Sequence, residues 1–201
     1  MTAPVLSARI LSRTRLTDGF LKVDRCEFET DMHRGGSQRV TREIMDRGHA
    51  VGVLAYDPVR DEIVLINEFR PGSLIAGDRA FTDGLVAGAI DGDESPVAAA
   101  VREMKEEAGL ELTDPIVVHP GAFVSSGGTS EKIAIVFGFV DASDAGGVHG
   151  NPHESEDILT LVMTADRFIE RVRSGDITDM KTLLAGYWFA EHRERLRRNV
   201  R

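Results

Sequence analysis

The chain has 201 residues, 42% of them hydrophobic, enough for one sizeable core with at most a small accessory region. Its formal net charge of −9 argues against nucleic acid as a principal partner, because a long anionic polymer needs cations that release its counterions; an anionic small molecule would need a metal or local arginines. The single cysteine, Cys26, excludes an intramolecular disulfide and a Cys-based zinc site and suits a reducing cytoplasm, while no apolar run approaches the ~18 residues of a membrane span, so no membrane association is expected.

Residues 6–47 hold short alternating segments, Phe20 to Phe28 and Gln38 to Met45, whose period of two predicts antiparallel strands. Two or three strands are marginal alone, so this region must pack on the main domain or on a second copy of the chain. A homodimer is one solution. The N-terminal β region is therefore set at residues 1–47 and the main domain at 48–201. From Ala50 the pattern strengthens: Ala50 to Tyr56, a turn at Asp57-Pro-Val-Arg-Asp61, then Glu62 to Asn67 read as a hairpin of largely buried strands, with Pro58 suited to the turn. Further strands are predicted at 84–87, 116–124, 132–140 and 158–163, and helices at 95–108, 165–174 and 179–197. Strands interspersed with helices give a layered α/β core. The longest loop, 141–157, is rich in Gly and acidic residues, a length more often functional or mobile than idle.

The predicted helix at 95–108 has clear edges: Ser95 as N-cap, Pro96 in the first turn, and Gly109 where a left-handed residue belongs. Val97, Val101, Met104 and Ala108 form an apolar stripe, and Glu103, Glu106 and Glu107 fall together on a different face. Like charges at such spacings oppose the helix, so something positive is expected among them. Three carboxylates on one rigid face suit a hard divalent cation such as Mg²⁺ or Mn²⁺, and Arg102 can reach Glu106 at i+4 and orient it. An ordinary solvated acidic helix would show the same three glutamates, so the flanking residues decide.

From Gly88 to Leu110 the chain satisfies Gly-x5-Glu-x7-Arg-Glu-U-x-Glu-Glu-x-Gly-U, where U is apolar, through Gly88, Glu94, Arg102, Glu103, Met104, Glu106, Glu107, Gly109 and Leu110. This run resembles the signature of the Nudix hydrolases. The resemblance reaches from about Gln38 to Trp188 and is similar to the bacterial ADP-ribose pyrophosphatase subfamily at Arg42-Glu-Ile, Arg47-Gly-His-Ala, Gly127-Gly-Thr-Ser-Glu131, Gly147-Val-His-Gly150 and Glu156-Asp-Ile158. It implies an α/β/α sandwich with a mixed sheet, preceded by a small antiparallel β region exchanged in a homodimer, and hydrolysis of a nucleoside diphosphate-linked small molecule with Mg²⁺ or Mn²⁺.

Carried onto this sequence, the resemblance assigns metal ligation to Glu103, Glu107 and the carbonyl of Ala87, with Glu106 as a further ligand or its support and Glu156 also at the metal. It assigns the general base to Glu154 on the 141–157 loop and an orienting role to Glu131. It assigns substrate contacts to Arg42, Arg70 and Gly128. The implied reaction converts ADP-ribose to AMP and ribose 5-phosphate. Two departures touch substrate choice: Ser126 stands where the subfamily usually has proline, and Gly84 where a glutamate is common. They keep open another nucleotide sugar, such as GDP-mannose. A Nudix-fold module that binds a nucleotide without cleaving it is the third reading, disfavoured because the box keeps all its glutamates. His149 and His153 read as solvated polar residues. The C-terminal arginines read as complements to a helix dipole, and Tyr187, Trp188 and Phe189 as contacts of the last helix with the core.

Overall fold

The computed structural model describes residues 5–151 and 155–198 and divides into two compact units, Met1–Gly48 with Phe123–Lys132, and His49–Ala122 with Ile133–Arg201. In the first unit, β1 (Ala8–Asp18), β2 (Lys22–Asp31) and β3 (Ser37–Asp46) form an antiparallel sheet in sequential order. Cys26, opposite Arg13 and Arg42, is buried, in keeping with a small core residue. Beside it Asp24 is also buried and accepts from Arg13 Nε at 2.6 Å and Arg15 Nε at 2.5 Å, so its charge is paired where water is scarce. The segment 123–132 docks on the end of β3: Met45 N–H donates to the Gly128 carbonyl at 2.8 Å, and Ser130 N–H to the Met45 carbonyl at 3.1 Å. β1 is exposed along its whole length, with Ile10, Leu11 and Leu16 among its exposed apolar residues.

The second unit is built on an eight-stranded sheet ordered β10-β11-β5-β4-β9-β8, with β6 added on β5 and β7 on β4. The strands are β4 (Ala50–Asp57), β5 (Glu62–Phe69), β6 (Phe81–Gly84), β7 (Val86–Ala89), β8 (Thr113–Phe123), β9 (Lys132–Phe139), β10 (Val148–His149) and β11 (Ile158–Thr164). The sheet is mixed, since β4 runs parallel to β9 and antiparallel to β5 and β7. Its faces follow the alternation of each strand. Val51, Val53, Ala55, Val64 and Ile66 pack with Ala99, Ala100, Met104 and Ala108 of α2 (Pro96–Ala108). Leu54, Tyr56, Ile63 and Leu65 pack on the opposite face with Phe168 and Val172 of α3 (Ala165–Ser174) and Ala185, Phe189 and Leu196 of α4 (Met180–Arg198). Helix, sheet and helices thus make an α/β/α sandwich.

Several details differ from the sequence expectations. The strand expected at 84–87 is split between β6 and β7, and a short helix, α1 (Pro71–Ile75), follows β5 where none was expected. The apolar stripe on α2 is also shifted: Val101 is exposed, whereas Glu103 and Glu107 are buried beside Met104. Ala99 and Ala100 let the helix lie close to the sheet, so the sector next to Met104 turns inward with its carboxylates. Phe189 is buried and Trp188 packs on Phe137, as expected, but Tyr187 is exposed. Arg193 is not a dipole complement. It donates to both Asp61 oxygens, at 3.0 and 2.5 Å, and ties α4 to the start of β5.

Candidate active site

The ends of α2 are set as its sequence requires. Ser95 accepts from Ala98 N–H at 3.1 Å, Pro96 opens the first turn, and Gly109 closes the helix at φ 68°. Gly109 has a second reason to lack a side chain, because a Cβ there would lie 2.8 Å from Cε1 of His149. That ring is lodged at the end of α2 and bonded through Nε2 to the Gly146 carbonyl at 2.8 Å, more enclosed than the solvated histidine expected.

Between these ends the helix faces β7. A Cβ on Gly88 would fall 1.8 Å from Oε1 of Glu103, so only glycine leaves room for that carboxylate against the strand. One residue earlier, Ala87 N–H donates to Oε2 of Glu107 at 2.9 Å. Arg102 then gathers the acids around a single guanidinium. It reaches Glu94 through Nε and Nη2 at 3.3 and 3.0 Å, Glu103 at 2.7 Å and Glu106 at 3.1 Å through Nη1, and the Ala89 carbonyl at 2.9 Å through Nη2. This is the positive group that the glutamate spacing demanded, and its bond to Glu94 holds the Glu94 carboxyl below the usual range.

Even with Arg102 the centre remains electron-rich. Burial pushes the Glu107 carboxyl up to about 8, against the pull of its bond from Ala87, and the charges of Glu68, Glu103 and Glu156 push the same way. Burial likewise raises Glu103, although Arg102 opposes it. Glu156, whose charge reaches both, accepts from Asn151 N–H at 2.9 Å. Such mutually repelling, interior carboxylates are a hard-oxygen donor set that fits a divalent cation. Among the described residues no three His, Cys, Asp or Glu side chains enclose a cation as they stand, and Glu107, Glu103 and Glu156 each accept from a donor of the protein itself.

Arg70 lies at the end of β5, half-buried, and pairs through Nη2 with Glu68. In the other unit, Arg42 sits on β3 and donates to the Thr41 carbonyl, the Gly128 carbonyl receives Met45, and Glu131 is buried and paired with Arg47 at 3.4 Å. Glu154 and His153 lie outside the described residues. The structure thus brings Ala87, Arg102, Glu103, Glu106, Glu107 and Glu156 together around α2 and β7.

Two polar groups escaped the sequence reading. Glu68 follows the apolar run Ile63-Val-Leu-Ile66 with only its isolated charge as a signal. Asp179 and Thr182 cap α4: Thr182 N–H donates to Asp179 Oδ2 at 3.0 Å, and Thr182 Oγ1 accepts from Leu85 N–H at 3.1 Å. The spacing Asp-x-x-Thr before a helix is a cap signal that could have found them. These two side chains are also what a Cβ at Gly84 would meet, at 3.8 and 3.4 Å.

The NUDIX domain model matches residues 46–179, and the chain belongs to that family. Among curated proteins it is 37% identical over 191 residues to an ADP-ribose pyrophosphatase of Escherichia coli (strain K12), covering 94% of this chain and 90% of the relative. The ADP-ribose pyrophosphatase of Haemophilus influenzae is 32% identical, with 89% and 84% covered. A GDP-mannose pyrophosphatase of Salmonella typhimurium is 29% identical, with 84% and 87% covered. The fold is also that of a solved ADP compounds hydrolase, with a TM-score of 0.71 at 20% identity, covering 94% of this chain and 96% of that one. The protein is a pyrophosphohydrolase of this family.

Proposed function

We propose that the protein hydrolyses the diphosphate of ADP-ribose to AMP and ribose 5-phosphate. The observation that carries the chemistry is the seating of Glu103 and Glu107 on β7 beside the Arg102 guanidinium, an acidic centre short of positive charge. The substrate reading is supported by the two ADP-ribose pyrophosphatases, both matched over most of their length. Glu103, Glu107 and the Ala87 carbonyl are the residues assigned to a divalent cation, Mg²⁺ with Mn²⁺ as substitute, and Glu106 and Glu156 support them. When bound, the cation neutralises diphosphate charge and acidifies water. Arg102 keeps Glu103 and Glu106 oriented, and Arg70 and Arg42, with Gly128, hold the substrate. Glu154 takes the proton of the attacking water, and Glu131 orients the site. The β region 1–47 pairs with a second copy in a homodimer, a reading supported by the exposed apolar residues of β1. Cytoplasmic residence is supported by the single buried thiol, Cys26.

A second reading, another nucleotide sugar such as GDP-mannose, is favoured by Ser126 and Gly84 and by the GDP-mannose pyrophosphatase relative. Turnover of ADP-ribose, GDP-mannose, a dinucleotide and a nucleoside triphosphate with Mg²⁺ separates the two. ADP-ribose is expected to give the highest kcat/KM, and its ranking well below GDP-mannose would reverse the assignment. Glu103→Gln is expected to lower kcat at least a hundredfold while the circular dichroism and melting profile stay native-like. Retained turnover would remove Glu103 from the centre.

A further inference from the structure

Glu68 belongs to none of the assigned residues, yet the fold directs it to the acidic centre. Along β5, Ile63 and Leu65 enter the core shared with α3 and α4, whereas Val64 and Ile66 enter the core shared with α2. Glu68 continues the second row, toward the helix that carries the box. Its charge acts on Glu107, and the charges of Glu156, Arg70, Lys181 and Asp179 act on it. Lys181 is occupied by Asp179, at 2.9 Å. The cation that faces Glu68 is therefore Arg70, in ion-pair contact with its buried Oε1. The pair is unequal: 35% of the Arg70 side chain is exposed, against 16% of Glu68. The guanidinium can swing toward solvent, but the carboxylate stays inside beside Glu107.

We propose that Glu68 is a positioning carboxylate of the acidic centre that holds Arg70 while the substrate site is empty and turns to the divalent cation when Arg70 moves to the diphosphate. This rests on the proposed roles of Arg70 and the box. A buried carboxylate deprived of its guanidinium must find another positive partner, because an unpaired interior charge is strongly unfavourable. Substrate binding at Arg70 and cation binding at Glu107 then favour each other, and linkage makes that effect reciprocal.

The test needs no substrate and no turnover. Mn²⁺ affinity is measured by electron paramagnetic resonance at pH 8 in the nucleotide-free wild type, Arg70→Ala, Glu68→Gln and the double variant, with melting curves in chelator to confirm folding. Arg70→Gln, which keeps a side chain of similar bulk, replaces Arg70→Ala if the latter does not fold. Removing Arg70 is expected to tighten Mn²⁺ about tenfold in the wild-type background and to change it less than threefold in the Glu68→Gln background. An equal gain in both backgrounds reflects only the general loss of a positive charge and overturns the proposal, as does no gain at all. Glu103→Gln separates this from the parent reading: if it weakens Mn²⁺ while the cycle is flat, the centre stands and only the Glu68 role falls. Mn²⁺ affinity unchanged by Glu103→Gln overturns the centre and this inference with it.

Discussion

Replacing Glu107 by glutamine should stabilise the metal-free protein while destroying its activity. Burial lifts the Glu107 carboxyl from 4.5 to about 8, so the folded state holds its proton more tightly than the unfolded chain does. Stability contributed by this group is therefore full below pH 4.5 and is lost as pH rises through 8. The gap is ~3.5 pH units, and at 1.36 kcal/mol per unit the ionised carboxylate costs the fold at most ~5 kcal/mol. Integrated over pH, the cost is about 2 kcal/mol at pH 6 and about 4 kcal/mol at pH 8. Glutamine carries no charge and still offers an oxygen to Ala87 N–H, so the variant should escape most of this cost. Urea unfolding in the presence of a chelator, at pH 6 and pH 8, reads both values directly. The variant should be the more stable protein, by a margin that roughly doubles between the two pH values. A margin that is constant, or a less stable variant, would refute the claim that an interior, under-neutralised carboxylate sits at this position. Adding Mg²⁺ should stabilise the wild type and leave the variant nearly unchanged.

Gly88→Ala should keep β7, because alanine is tolerated in a strand, but the new methyl group would occupy the place of the Glu103 carboxylate. Mn²⁺ binding should weaken at least tenfold and kcat should fall at least as much; wild-type values for both would show that Glu103 can sit elsewhere. Arg102→Lys keeps the charge but loses the fork that joins Glu94, Glu103, Glu106 and the Ala89 carbonyl. A stability loss of about 1–3 kcal/mol is expected in urea unfolding, from acids and a carbonyl left without their donor. A lysine variant as stable as the wild type would show that charge alone suffices.

The box was legible because its chemistry is local. Ser95, Pro96 and Gly109 mark one helix, and Glu106 lies one turn beyond Arg102, so spacing alone predicts that meeting, whereas Glu94 precedes the helix and no helical spacing joins it to Arg102. The depth of those acids was not legible. It depends on Gly88 and Ala87 of another strand and on the small Ala99 and Ala100, which bring helix and sheet together. An apolar stripe drawn through Val97 and Val101 missed this, because hydrophobicity predicts which face can be buried and not which polar sector is buried with it. The strands β4 and β5 were readable as a largely buried hairpin from their continuous apolar runs, whereas the five residues of α1 were too few to show a helical period. Glu68 was invisible for a related reason: its neighbours Glu107 and Glu156 lie far along the chain, and no spacing rule connects them.

The last turn of α2 also governs how the neighbouring loop can change over time. While Glu106 and Glu107 present carboxylates to the centre, their backbone carbonyls take Gly150 N–H at 3.3 Å and the Thr160 hydroxyl at 3.2 Å. At Gly150 a Cβ would lie 2.8 Å from Cβ of Glu156, so that anchor tolerates little but glycine. Main-chain acceptors ask nothing of the side chains between them. Exchanges can therefore accumulate at the exposed Ser143 and Asp144, between the buried Ala142, whose N–H is held by Asp57, and Gly146, whose carbonyl holds His149, without disturbing the acids. Specificity can drift while the hydrolytic step is inherited intact.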